Sequence, residues 1–121
     1  MSLKPSGEMY LETIYTLSNQ KGEVRSIDIA ERMGFSKPSV SRAVGRLKND
    51  DYIVIGDNGY ITLTKGGLYI AQKIYERHTV LSQALEMLGV DEQTAAKDAC
   101  EIEHVISDKT FEAIKKHMQN K

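Results

Sequence analysis

The sequence predicts a mainly α fold broken by one β-hairpin, with three short helices before the hairpin and longer helices after it. Two patterns carry this expectation. Apolar residues recur at helical spacing between capping residues and glycines. Two β-branched runs, Tyr52–Ile55 and Tyr60–Leu63, flank an Asp57-Asn58-Gly59 turn. Composition agrees with a soluble globular chain: 121 residues, 40% hydrophobic and 27% charged, enough for one domain or two small ones.

The elements follow in order. Ser6 is expected to cap a first helix over roughly Gly7–Leu17, with apolar Met9, Leu11, Ile14, Tyr15 and Leu17, and Asn19-Gln20-Lys21-Gly22 ending it. Ser26 opens a short second helix that Gly34 stops in a left-handed conformation. Ser36 caps a third helix with Pro38 in its first turn, where a missing N–H costs nothing. Val40, Val44 and Leu47 repeat at i, i+4 and i+7 and form its buried face. After the hairpin, Thr64 caps a long fourth helix reaching about Leu88, and Gly89 ends it. Asp91 caps a fifth helix to about Ile106, and Ser107 a sixth to about Met118.

Helix, glycine turn, helix and hairpin together make a winged helix-turn-helix, whose second helix enters the major groove of DNA by its N-terminal end. The residues placed there are Ser36, Lys37, Pro38, Ser39, Ser41 and Arg42, with Arg46 one turn on. Hydroxyls and a helix N-terminus suit phosphate oxygens, and arginines reach guanine or phosphate. The net charge of −1 does not indicate a nucleic-acid binder, but its distribution does. Ser36 to Lys48 holds four basic residues and no acid, whereas the chain from Gln72 onward holds nine acids against seven bases. The expected division is a DNA-binding domain over 1–71 and a helical dimerisation and metal-binding domain over 72–121. The hairpin tip, Gly56–Gly59, carries no Lys or Arg and is a weak wing.

The second constellation is Cys100-Glu101-Ile102-Glu103-His104. On a continuous helix, Cys100, Glu103 and His104 share one face at i, i+3 and i+4. Thiolate, carboxylate and imidazole together are a donor set for a divalent transition metal. Each residue alone has an ordinary reading: a buried cysteine, a solvated glutamate, a hydrogen-bonded histidine. Further donors are available in His78 on the fourth helix and in Met9 and Glu12 on the first, while His117 reads as surface. The single cysteine excludes an internal disulfide. With no signal-peptide pattern and no membrane-length apolar run, the expected location is the cytoplasm, with no membrane partner.

The chain resembles the diphtheria-toxin-repressor and manganese-transport-regulator family along essentially its whole length. The resemblance lies in Glu8-Met9-Tyr10-Leu11-Glu12-Thr13-Ile14-Tyr15, Asp28-Ile29-Ala30-Glu31-Arg32-Met33, Ser36-Lys37-Pro38-Ser39-Val40-Ser41 and Asp98-Ala99-Cys100-Glu101-Ile102-Glu103-His104. It implies a homodimeric winged-helix repressor that binds operator DNA with Fe(II) or Mn(II) as co-repressor and controls metal-uptake genes. In the longer, iron-responsive branch the main site is similar to Met9, Cys100, Glu103 and His104. That branch's ancillary site takes a histidine at the place of His78, but two of its other places hold Ser82 and Ala96 here. Length and the His78-to-Cys100 spacing resemble the short, manganese-responsive branch, which lacks the SH3-like domain. Its site matches Glu12, His78, Glu103 and His104, with Met9 and Cys100 replacing an Asp and a Glu.

Thioether and thiolate shift preference from Mn(II) toward Fe(II) and later metals, so Fe(II) is expected over Mn(II), with Co, Ni or Zn able to substitute. A native zinc site is the alternative metal. Two other functions compete: a winged-helix regulator answering a non-metal signal, with a structural Cys–Glu–His cluster, and a small metalloenzyme. The second lacks any substrate-pocket signature.

Overall fold

A computed structural model describes residues 3–120. Six helices and one two-stranded antiparallel sheet are present among them: α1 (Pro5–Lys21), α2 (Ser26–Met33), α3 (Lys37–Asn49), β1 (Ile53–Ile55), β2 (Ile61–Leu63), α4 (Lys65–Met87), α5 (Glu92–Ile102) and α6 (Asp108–Gln119). The fold is mainly α, with a winged helix-turn-helix before the helical segment. The chain divides into two compact units, Met1–Gln72 and Lys73–Lys121, and α4 runs through the division. Among the described residues no helix is long and apolar enough to cross a membrane.

The first unit is built on a continuous apolar core. Leu11 and Ile14 of α1, Val24, Ile29 of α2, and Val40, Val44 and Leu47 of α3 are buried, and Ile53 and Ile61 close it from the hairpin. In register, Ile53 faces Leu63, Val54 faces Thr62 and Ile55 faces Ile61. The second strand is also anchored to the loop before α2, where Ile61 N–H donates to Val24 O at 2.7 Å.

Local chemistry sets the boundaries. Gly34 adopts φ 71°, ψ 26° and its N–H closes α2 onto Ala30 O, the left-handed stop that makes the tight turn between the paired helices. Ser36 Oγ accepts from Ser39 N–H at 3.3 Å and starts α3. Thr64 Oγ1 accepts from Gly67 N–H at 3.2 Å and donates to Asp51 O at 2.6 Å, seating the start of α4 on the base of the hairpin. Gly67 is required there, since a Cβ at this position would lie 2.1 Å from Tyr52 O.

Two expected boundaries move. Ser6 lies inside α1, which begins at Pro5 with Lys4 at the N-cap and no side-chain cap. Proline's fixed φ starts the helix without needing a hydroxyl. Helix α5 ends at Ile102, four residues before the expected stop. Val105 and Ile106 N–H groups both turn back to Ile102 O, at 3.0 Å each, so the chain tightens and leaves the helix axis before Ser107 starts α6.

The second unit has a smaller apolar centre, Leu81, Ala99 and Phe111, bordered by Val80, Ile102, Ile106 and Ile114. Its interior also contains two charged residues, Arg77 (6% exposed) and Glu103 (0%).

Candidate functional site

The α3 face in the first unit is a chain of exposed polar groups. Ser36, Lys37, Pro38, Ser41, Arg42 and Arg46 are exposed, and Ser39 is half-buried. Ser36 Oγ donates to Ser39 Oγ at 2.9 Å, and Arg42 Nη2 reaches the same oxygen at 3.4 Å. The opposite face of α3 is held rigidly by Val40, Val44 and Leu47 in the core. A basic, acid-free surface on a rigid helix is what a phosphate backbone and a major groove can receive.

In the second unit, the end of α5 and the turn after it gather a donor cluster. Ligand atoms of Cys100, Glu103 and His104 all lie within 4.8 Å of one another. They do not share a helical face in the expected way. Cys100 is helical, Glu103 is the C-cap of α5, and His104 lies in the following turn. Convergence survives because Glu103 keeps right-handed dihedrals, φ −58° and ψ −24°, and its N–H still bonds Ala99 O at 2.9 Å.

Glu103 is the centre of this cluster. Its Oε1 lies 2.8 Å from His78 Nδ1 of α4, and its Oε2 lies 3.4 Å from His104 Nε2. The carboxylate is wholly buried, and Oε2 has no hydrogen-bond partner among the described residues. A carboxylate withdrawn from water needs a cation or hydrogen bonds at both oxygens. Flanked by a thiol and two imidazoles, it fits a divalent transition metal. Met9 and Glu12 lie on α1 of the first unit, both half-buried.

Arg77, which precedes His78, was not marked by sequence pattern. It is buried and its Nη1 donates to Glu103 O at 3.1 Å and to Ile106 O at 2.8 Å, while Nη2 donates to the Asp108 carboxylate. Lys73 Nζ also meets Asp108, at 3.1 Å, and with Arg77 holds that carboxyl below its usual range. No local motif could have found these partners, which lie 26 to 31 residues away.

A winged helix with a basic reading face, in one chain with a helical unit carrying a transition-metal donor set, has the parts of a metal-dependent transcriptional regulator. The chain belongs to the iron-dependent repressor family: residues 2–60 match its N-terminal DNA binding domain and residues 64–121 its metal binding and dimerisation domain. The chain is 39% identical over 103 residues to an HTH-type transcriptional regulator MntR of Geobacillus kaustophilus (strain HTA426), covering 85% of this chain and 73% of the relative. Among solved structures it is similar to the manganese regulator SloR, with a TM-score of 0.83, 28% identity, and coverage of 98% of this chain and 55% of that one. It is likewise similar to the metal-dependent transcriptional regulator MtsR, with a TM-score of 0.87, 25% identity, and coverage of 97% and 55%. The chain thus spans about half the length of these solved structures. The family is one of transcriptional regulators and not of enzymes, which removes the metalloenzyme reading.

Proposed function

We propose that this chain binds operator DNA as a homodimer when a divalent transition metal is bound, and so represses genes of metal-ion homeostasis. The carrying observation is the buried Glu103 carboxylate, set between His78 and His104 and beside Cys100. We assign Cys100, Glu103, His104 and His78 as metal donors. Met9 and Glu12 complete the proposed set on the strength of the sequence. When bound, the metal supplies the positive charge that this carboxylate and thiolate lack, and joins its donors in one geometry. Metal occupancy is thereby coupled to the spacing of the DNA-reading helices, which half-sites roughly 34 Å apart select. Affinity rises because the competent arrangement is more populated, with no new DNA contact required.

Donor chemistry supports Fe(II) over Mn(II): Cys100 adds a thiolate and Met9 a thioether, which hard Mn(II) favours less than later metals. Manganese is the second reading, supported by relatives described as a manganese regulator and as a manganese-dependent repressor in complex with manganese. Co, Ni and Zn can substitute in vitro, and a native zinc site is the remaining metal choice.

The DNA contacts are assigned to Ser36, Lys37, Pro38, Ser39, Ser41, Arg42 and Arg46. We assign the contact with a second copy of the chain to the apolar groove of about 480 Å³ lined in part by Leu81, Leu85, Met87, Leu88, Ile114 and Met118. Leu88 is 80% exposed and Met87 53%, an apolar patch that a homodimer would cover.

Fluorescence anisotropy on operator DNA, anaerobically and with or without Fe(II) or Mn(II), tests the switch. Metal should raise affinity, and Fe(II) should do so at lower free concentration. Equal affinity with and without metal refutes the switch and favours a regulator answering another signal. Mn(II) acting at the lower concentration reverses the metal assignment.

A further inference from the structure

Two of the proposed donors, Glu103 and His104, do not stand on a helix. They sit in the turn that leaves α5, where carbonyl oxygens lose their intrahelical partners and the chain has several ways to go. Something must hold that turn if its side chains are to meet a metal without reordering.

Arg77 of α4 grips it at three points. Nη1 accepts no bond and donates two, to Glu103 O at the entry of the turn (3.1 Å) and to Ile106 O at its exit (2.8 Å). Nη2 donates to the carboxylate of Asp108, the first residue of α6. The guanidinium carbon stands 5.5 Å from the centre of the Phe111 ring. The next residue, His78, meets the Glu103 side chain at 2.8 Å. Successive residues of α4 therefore hold Glu103 twice, by backbone and by carboxylate.

The location argues against a role in stability alone. Burying an arginine to 6% exposure removes much of its hydration, and an apolar residue of similar volume often serves stability as well or better. What an arginine adds is geometry: a planar fork whose several N–H groups point in fixed directions. Here the fork matches two carbonyls and one carboxylate spaced along six residues.

We propose that Arg77 is a positioning residue of the metal centre. It holds Glu103 and His104 in the arrangement that a metal meets, and touches the metal through neither atom nor charge pair. This rests on the metal reading given above.

The test is an anaerobic Co(II) titration of the full chain, followed by thiolate-to-cobalt absorption and the ligand-field bands, with melting curves of metal-free and cobalt-loaded protein. Arg77→Lys retains the charge but loses the fork. It should bind Co(II) about 10- to 100-fold more weakly, the loss typical of an outer-shell partner, with displaced ligand-field bands. Its cobalt-loaded melting point should fall further than its metal-free one, because weaker binding stabilises less. Equal falls, with wild-type cobalt affinity and spectrum, mean a structural arginine and overturn the proposal while leaving the metal centre standing. Should Arg77→Lys not fold, Asp108→Asn decides by the same readouts, since it weakens the anchor of Nη2 at an exposed position. Weaker cobalt binding with shifted bands supports positioning, and wild-type behaviour overturns it. Absence of cobalt uptake by the wild-type chain overturns the metal reading and this proposal together.

Discussion

The two units of this chain solve the problem of an interior differently. The first buries a continuous set of aliphatic side chains from three helices and a hairpin, and keeps Lys37, Arg42, Arg46 and Lys48 exposed on α3. The second gathers Leu81, Ala99 and Phe111 in a smaller apolar cluster and places Arg77 and Glu103 inside. An apolar core is stable by itself, so a reading surface can be carried on it at little risk. An interior containing charge depends on having every partner in place. The contrast teaches that the second unit should respond to a bound ligand, while the first unit stays the same.

The largest expected effect tests the first half of that contrast. Leu11 is wholly buried in the core, and Leu11→Ala should destabilise the first unit by about 2–5 kcal/mol, with or without metal. Urea unfolding of the variant measures it. A metal-dependent loss would show that the units are not energetically distinct.

His104→Ala strikes the other unit. It should lower Fe(II) affinity at least about 100-fold, more than loss of an outer-shell partner, and abolish metal-dependent DNA binding. Circular dichroism of the metal-free variant should match the wild type. Calorimetric titration that still shows tight binding would remove His104 from the donor set.

Arg42→Ala separates reading from sensing. Operator affinity should fall by about 1–3 kcal/mol, while Fe(II) affinity stays as in the wild type. Parallel anisotropy and metal titrations check both, and an unchanged operator affinity would discount α3 as the reading helix. A smaller effect is expected at the start of the same helix. Ser36→Ala removes the cap on Ser39 N–H and should cost about 1 kcal/mol of stability in a thermal melt.

Acid provides the mildest probe. Lys73 and Arg77 hold the Asp108 carboxyl below its usual value of 3.8, and the Thr94 N–H does the same for Asp91. A carboxyl depressed in the folded state contributes stability that is complete above the unfolded value. That contribution is lost as pH falls through the folded value. Metal-free wild type should therefore lose more stability than Asp108→Asn on acidification below about pH 4, read from urea midpoints. Identical pH profiles would mean that the Lys73–Asp108–Arg77 bridge adds nothing to folding. Metal affinity should also fall toward acid, where protons compete for thiolate and imidazole.

Local signals were readable without the fold. Gly34 stops α2 because a left-handed residue is cheapest as glycine, and Ser36 and Asp91 start helices because their oxygens reach the N–H three residues on. The Val40, Val44 and Leu47 stripe is the buried side of α3 because periodicity and burial are the same fact seen twice. Where two local signals compete, proline's fixed φ prevails: Ser6 lies inside a helix that Pro5 starts.

The second unit is less legible in the sequence. Cys100, Glu103 and His104 could be singled out as a donor set from residue types and spacing, but on the premise of a helix that in fact ends at Ile102. Their convergence depends on the αR dihedrals of Glu103 and on a turn whose carbonyls are satisfied from α4.

The order of elements, the basic face of α3 and the donor types near the end of α5 are legible in the sequence, because caps, periodicity and side-chain chemistry act within a few residues. Only tertiary structure decided which oxygen of Glu103 meets which imidazole, and that Arg77 would hold the turn between α5 and α6. The contacts of His78 and Arg77 with Glu103 and Ile106 join groups 25 or more residues apart along the chain, and packing alone brings them within hydrogen-bond reach.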